Sequence, residues 1–187
     1  MQELSSNSTE KKQAKQIFRN LFYLADVSGT GYWRRILPIT IANTLQSATG
    51  IYNTYTMDFI PDPRFYMGLN SVTVQRWTGK QHRELFEKFL YPITRKTGTC
   101  LVYEIDDAML GDDIPLYNRG RDAFTDKEVQ ANIKYMLNAS DVVTVTTPYI
   151  KGYYNRKYGV PLEKLIAVPN LLSRMWIGDR FDPERKV

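Results

Sequence analysis

The chain is poor in the residue types that carry most metal and redox chemistry: one cysteine, Cys100, and one histidine, His82. A lone cysteine excludes an internal disulfide and fits a reducing compartment, so a cytoplasmic location is expected. Set within an apolar run, Cys100 reads as a core residue. Without a Cys/His cluster a structural zinc site has no ligands. No apolar run approaches the roughly 18–20 residues of a membrane-spanning helix, so no membrane span is expected. The opening residues, MQELSSNSTEKKQAK, lack the apolar centre of a signal peptide. RNA-binding aromatic signatures, zinc fingers and helix-turn-helix patterns are missing too.

What is present suits a globular α/β protein. The chain has 187 residues, of which 43% are hydrophobic and 13% aromatic, enough for one large domain with a sizeable core. A net charge of +5 allows a nucleic-acid or other acidic partner without requiring one. Residues 1–16 read as a polar arm, 17–170 as a Rossmann-like domain and 171–187 as a linker or tail.

Leu21 to Pro38, LFYLADVSGTGYWRRILP, organises the domain. An apolar run, Leu21–Ala25, reads as a buried strand. A glycine-punctuated turn, Ser28–Gly31, follows, then a helix with Pro38 in its first turns, ending near Gly50. Strand, Gly-rich turn and helix together place backbone N–H groups and a positive dipole end against an anion. Arg34 and Arg35 add charge suited to phosphate or carboxylate. The plain alternative is a tight turn packed on a sheet, with two solvated arginines.

Further strands are expected at 51–60, 71–77, 99–107, 141–146 and 165–168, rich in β-branched and aromatic types. Leu85, Phe86, Phe89 and Leu90 have helical spacing, with Pro92 marking that helix's end. Residues 111–124 read as a polar loop. Thr125 to Glu128 has the form of a capping box, and Thr147-Pro148 that of a capped helix start running to Gly159. Strands alternating with helices predict a doubly wound, mainly parallel sheet of about six strands. Ligands of such sheets sit at the carboxyl ends of the strands, here Asp26–Gly31, Arg76–Gly79, Glu104–Asp107, Thr146–Thr147 and Pro169–Asn170.

Four segments resemble a known family. Gly29-Thr-Gly-Tyr-Trp-Arg34-Arg-Ile-Leu-Pro38 resembles the Gly-x-Gly-Tyr-Tyr-Arg…Pro opening of group 1, family 4-like glycosyltransferases of the GT-B fold, which occur in bacteria and phages. Val102-Tyr-Glu-Ile-Asp-Asp107 is similar to their DxDD strand end, with Glu104 first. Asn138 to Thr147 resembles their A-D-x-V-x-V-S/T-T strand, and Tyr158 to Asn170 their G-V-P…K-I…P-N ending. The resemblance implies transfer of a sugar from a nucleotide-sugar co-substrate, with no other cofactor, no metal and retained anomeric configuration. It also implies that this chain is the amino-terminal, acceptor-side half of a two-domain enzyme. No second Gly-rich strand-turn-helix and no Glu-x7-Glu pattern is found, so the donor is expected on a further domain or partner chain, and this half alone is expected to be inactive.

Candidate catalytic residues are Glu104, Asp106 and Asp107. Glu104 and Asp106 share one strand face, and crowded carboxylates raise one another's pKa, which suits a base. The competing reading is a water-exposed cap. Candidate substrate- or phosphate-binding residues are Ser28, Gly29, Thr30, Gly31, Tyr32, Arg34, Arg35, His82, Thr147 and Asn170. By resemblance Arg34 is the motif arginine, and Arg35 departs from the pattern. His82 reads either as a base near neutral pH or as a surface helix residue. Trp33 reads as a stacking platform or as packing, the tyrosines of 149–158 as core or interdomain surface, and Trp176 as a linker aromatic by resemblance. The acceptor is open, nucleic acid included. The alternative function is a non-catalytic Rossmann-like module binding a phosphorylated or nucleic-acid ligand, and a third is a structural subunit with a vestigial site.

Overall fold

Six runs of β-branched and aromatic residues form one sheet in the computed structural model, which describes residues 16–45, 49–110, 114–118 and 121–170. The strands are β1 (Phe18–Tyr23), β2 (Ile51–Thr56), β3 (Ser71–Gln75), β4 (Cys100–Glu104), β5 (Val142–Val145) and β6 (Leu165–Ala167). Their order is β2-β1-β3-β4-β5-β6 and every pairing is parallel. The chain steps from β1 to one edge, then returns past β1 to build the rest. That puts the topological switch between β1 and β3. The expected arm lies almost wholly outside the described residues, and the expected tail with Trp176 does so entirely.

Burial follows strand position. Val72 and Val74 of β3, Leu101 and Tyr103 of β4, and Val143 and Val145 of β5 form the centre of the core and are fully enclosed. Such continuous burial is typical of parallel strands covered on both faces. Cys100, at the start of β4, is half-buried, and burial raises its thiol pKa. Edge strand β2 has no fully buried residue.

Helix α1 starts earlier than the sequence suggests. It is a continuous rod of three segments: Gly29–Gly31, a π-helical turn Tyr32–Ile36, and Leu37–Thr44. Gly29–Gly31 is therefore the first helical turn, not a free loop, and the regular helix stops at Thr44, short of Gly50. Helix α2 repeats the design, with Lys80–Leu85, a π-turn Phe86–Leu90 and Tyr91–Thr97. It does not stop at Pro92. In both rods the π-turn closes on the residue just before the proline: Leu37 N–H donates to Tyr32 O and Tyr91 N–H to Phe86 O. A proline ring clashes with the carbonyl four residues back, and the wider turn lets the helix absorb it.

Within the expected 111–124 loop, a short helix α3 (Arg121–Thr125) forms. Helix α4 (Lys127–Ala139) is capped by Asp126, not Thr125: the Asp126 carboxylate accepts from the N–H groups of Glu128 and Val129. Ionised Asp is the stronger acceptor, and Thr125 is left as the last residue of α3. Helix α5 (Pro148–Tyr158) is capped by Thr147 as its sequence predicts, with Ile150 N–H donating to Oγ1 at 3.1 Å. Tyr153 and Tyr154 are buried in the core, whereas Tyr149 is exposed.

Candidate functional site

The carboxyl end of β1 delivers Asp26 against the first turn of α1. Gly31 N–H donates to Asp26 Oδ1 at 3.2 Å. A Cβ on Gly31 would lie 1.8 Å from the Asp26 carbonyl oxygen, so only glycine lets this turn close, and Gly29 has φ +41°. Ser28 holds the N-cap position without a side-chain capping bond. The positive end of α1 thus has a carboxylate of its own chain, and the Gly31 amide is not a vacant phosphate donor.

Arg34 and Arg35 project from the π-turn to one acceptor. Glu104, the last residue of β4, is fully buried between them: Arg34 Nε donates to Oε1 at 2.5 Å and Arg35 Nε to Oε2. Arg34 Nη1 also donates to Asn170 Oδ1 and lies 3.5 Å from Val168 O. Arg35 lies over the Phe22 ring at 5.1 Å, and burial lowers its pKa against the opposing pull of Glu104. This cluster joins α1, β4 and the segment after β6. Both Nε groups are committed to the Glu104 carboxylate, while Arg34, Arg35 and Asn170 also face the adjacent cavity. That cavity, of about 140 Å³, is lined by Trp33, Pro38 and Pro169 among others.

The next two acids beyond β4 behave differently. Asp106 is 8% exposed, and its Oδ1 faces Arg76 Nε at 3.4 Å. Asp107 reaches solvent. Burial of its inner side, and then the Asp106 charge, raise its pKa, while Arg76 and Arg34 oppose the rise. The Asp107 carbonyl is pinned by Tyr154 Oη at 2.7 Å and the Asp106 carbonyl by Thr146 Oγ1 at 2.7 Å. The main chain at Asp107 is thus held in place, and its solvent-facing carboxyl has a raised pKa.

Arg76 connects the acids to the glycine turn. It leaves β3 with φ +50°, rare for a side-chain-bearing residue, and its Nη1 donates to Thr30 Oγ1 at 3.0 Å. The preceding Gln75 accepts from Ala25 N–H at 3.2 Å. Gln75, Glu104 and Thr144 lie side by side in register across β3, β4 and β5. Gln75 Nε2 and Thr144 Oγ1 have no hydrogen-bond partner among the described residues.

The structure thus gathers Thr30, Gly31, Arg34, Arg35, Glu104, Asp106, Asp107 and Asn170 on one rim. Tyr32 and Trp33 pack edge-to-face on each other at 5.3 Å. His82 and Thr147 have local duties. His82 Nδ1 accepts from Thr78 N–H at 3.4 Å, the ring stacks on Trp77 at 5.1 Å, and burial lowers its pKa. Sequence reasoning placed Asp26 and Arg76 at the ligand-facing strand ends without a role of their own, and missed Gln75. The available signal was the Gln-Arg pair closing an otherwise apolar strand. Among the described residues no group of three or more His, Cys, Asp or Glu is placed to hold a metal ion. A larger cavity, about 500 Å³, is lined by residues such as Gly68 and Lys96 that precede β3 and β4, at the opposite end of the sheet. The chain matches no protein-family model and no curated protein.

Proposed function

We propose that this chain is the acceptor-side domain of a glycosyltransferase and that Asp107 is its base. The observation that carries this reading is the division of labour among three neighbouring acids. Glu104 is enclosed by Arg34 and Arg35, Asp106 faces Arg76, and Asp107 alone of the three reaches solvent with a raised pKa. A proton-avid carboxylate held at the carboxyl ends of a parallel sheet suits abstraction from an acceptor hydroxyl. The acceptor oxygen bonds the anomeric carbon, the bond from that carbon to the nucleotide phosphate breaks, and the hydroxyl proton passes to Asp107; this single displacement inverts the anomeric carbon, a departure from the retention that the resemblance implies. The four-segment resemblance supplies the donor class, a nucleotide-sugar, and a donor site on a second domain or partner chain.

Two further observations support the reading over an anion-binding module. Asp26 holds the Gly31 amide, Glu104 engages both Arg34 and Arg35, and Asp106 faces Arg76, so the donors a phosphate would use already have carboxylate partners. The same rim exposes Val27, Leu116, Tyr117 and Tyr149, an apolar border suited to an apposed domain. The test is a screen of nucleotide-sugar donors for sugar transfer by the native enzyme, beside binding assays with duplex DNA and inorganic phosphate. Donor-dependent transfer supports the proposal. Salt-sensitive DNA or phosphate binding with no transfer from any donor supports the module instead.

A further inference from the structure

Arg76 is expected from sequence only as one strand-end residue among several, yet it is the residue through which the rim is joined. Its backbone N–H donates to Glu104 O at 2.9 Å, which anchors the main chain at the end of β3. The left-handed φ of +50° then turns the side chain across the crevice between the carboxyl ends of β1 and β4. There it meets Thr30 Oγ1 at 3.0 Å on one side and Asp106 Oδ1 at 3.4 Å on the other. Among the described residues no other cation is paired with Asp106, and Asp106 Oδ1 has no hydrogen-bond partner. Side-chain-bearing residues held in rarely adopted backbone regions cluster at functional sites, where the surroundings over-determine them.

We propose that Arg76 is the positioning residue of this site: its strained backbone aims one guanidinium at Asp106 and Thr30, which balances the buried acid and leaves Asp107 as the working one. The inference deepens the glycosyltransferase reading and rests on it for the role of Asp107 as base. The placement of the Arg76 charge rests on its contacts with Thr30 and Asp106. The groups facing Asp107 are Asp106, which raises its proton affinity, and Arg76 and Arg34, which lower it. The buried Tyr103 phenol faces Arg76 and Asp106 as well, and burial keeps it protonated. Without Arg76, Asp106 loses its paired cation and Asp107 loses one of the two positive charges that oppose the rise of its pKa.

The experiment is a pH titration of the aspartate side-chain carboxyl carbons by NMR, in the wild type and in Arg76→Gln, Arg76→Gly and Arg76→Lys. Glycine accepts the left-handed backbone, so Arg76→Gly removes the charge without misfolding the turn. The Asp107 carboxyl, which Arg76 holds down in the wild type, is expected to titrate about one pH unit higher in the Gln and Gly variants. Arg76→Lys, with the charge restored, is expected to return most of the way. An Asp107 that titrates in the Gln and Gly variants as it does in the wild type overturns the proposal. The measurement reads no turnover, so failure of the sugar-transfer assay leaves this result standing, and the reverse also holds.

Discussion

The Arg34 guanidinium and the Glu104 carboxylate meet at 2.5 Å with neither open to solvent, although 69 residues separate them in sequence. The contact ties the π-turn of α1 to the end of the central strand β4. Arg35 completes the enclosure from the other side. The three residues are a structural latch, and the resemblance-derived role of Glu104 in acceptor chemistry passes in this account to Asp107.

Breaking the latch should therefore cost stability before chemistry. Removing one partner of a buried ion pair leaves an uncompensated charge, typically at about 3–5 kcal/mol. Glu104→Ala, which strands two guanidiniums, is expected to lower the melting temperature more than Arg35→Ala does. Thermal denaturation followed by circular dichroism checks the order.

Asp107→Asn should act in the opposite direction on stability. Burial and the Asp106 charge raise the folded-state pKa of Asp107, so the native chain binds its proton more tightly than the unfolded chain. The resulting stabilisation is complete below the ordinary carboxylate pKa and is lost as pH rises through the folded value. At neutral pH the ionised side chain is thus a burden on the fold. Asp107→Asn is expected to melt above the wild type at pH 7, with the gain vanishing in acid. A variant less stable than the wild type at pH 7 would contradict this.

His82 has the complementary sign. Its pKa is lowered by burial against Trp77, so the unfolded chain takes up the proton first. Its contribution to stability is present at neutral pH and falls away as pH drops below about 6.5. His82→Gln should flatten that part of the pH–stability curve, as measured by denaturant unfolding at pH 5 and pH 8.

Edge strand β2 is guarded by a neighbouring helix. The Asn43 side chain donates to Asn53 O at 2.9 Å and accepts from Asn53 N–H at 3.2 Å, which occupies both main-chain groups of a residue midway along β2. An open, uncharged edge such as Ile-Tyr-Asn-Thr-Tyr-Thr invites pairing with another chain. Asn43→Ala is expected to self-associate with rising concentration in analytical ultracentrifugation, where the wild type does not.

Much of this architecture can be read from residue patterns. The six strands are marked by local chemistry such as Val72-Thr-Val and Leu101-Val-Tyr, where β-branched and aromatic residues leave few alternatives. Thr147 caps α5 because capping is decided within one turn. Pro92 misled as a helix end and Pro38 as the mark of a helix's first turns, since a π-turn that carries a helix through proline has no composition of its own. Thr125 lost the cap of α4 to its neighbour Asp126 for reasons of charge. The rim chemistry was legible as a neighbourhood, through the strand ends, but not as a division of roles. That Glu104 is consumed by two arginines depends on how far α1 reaches across the sheet. That Arg76 matters depends on a single backbone angle.

The most direct test of the central claim compares sugar transfer by the wild-type protein, with its donor-binding domain or partner present, and by its Asp107→Asn variant across pH. Transfer from a nucleotide-sugar is expected to rise with pH through the raised pKa of Asp107, with a loss of about 10²-fold or more in Asp107→Asn. A variant that transfers sugar as fast as the wild type, or a wild type inert toward every donor, would contradict it.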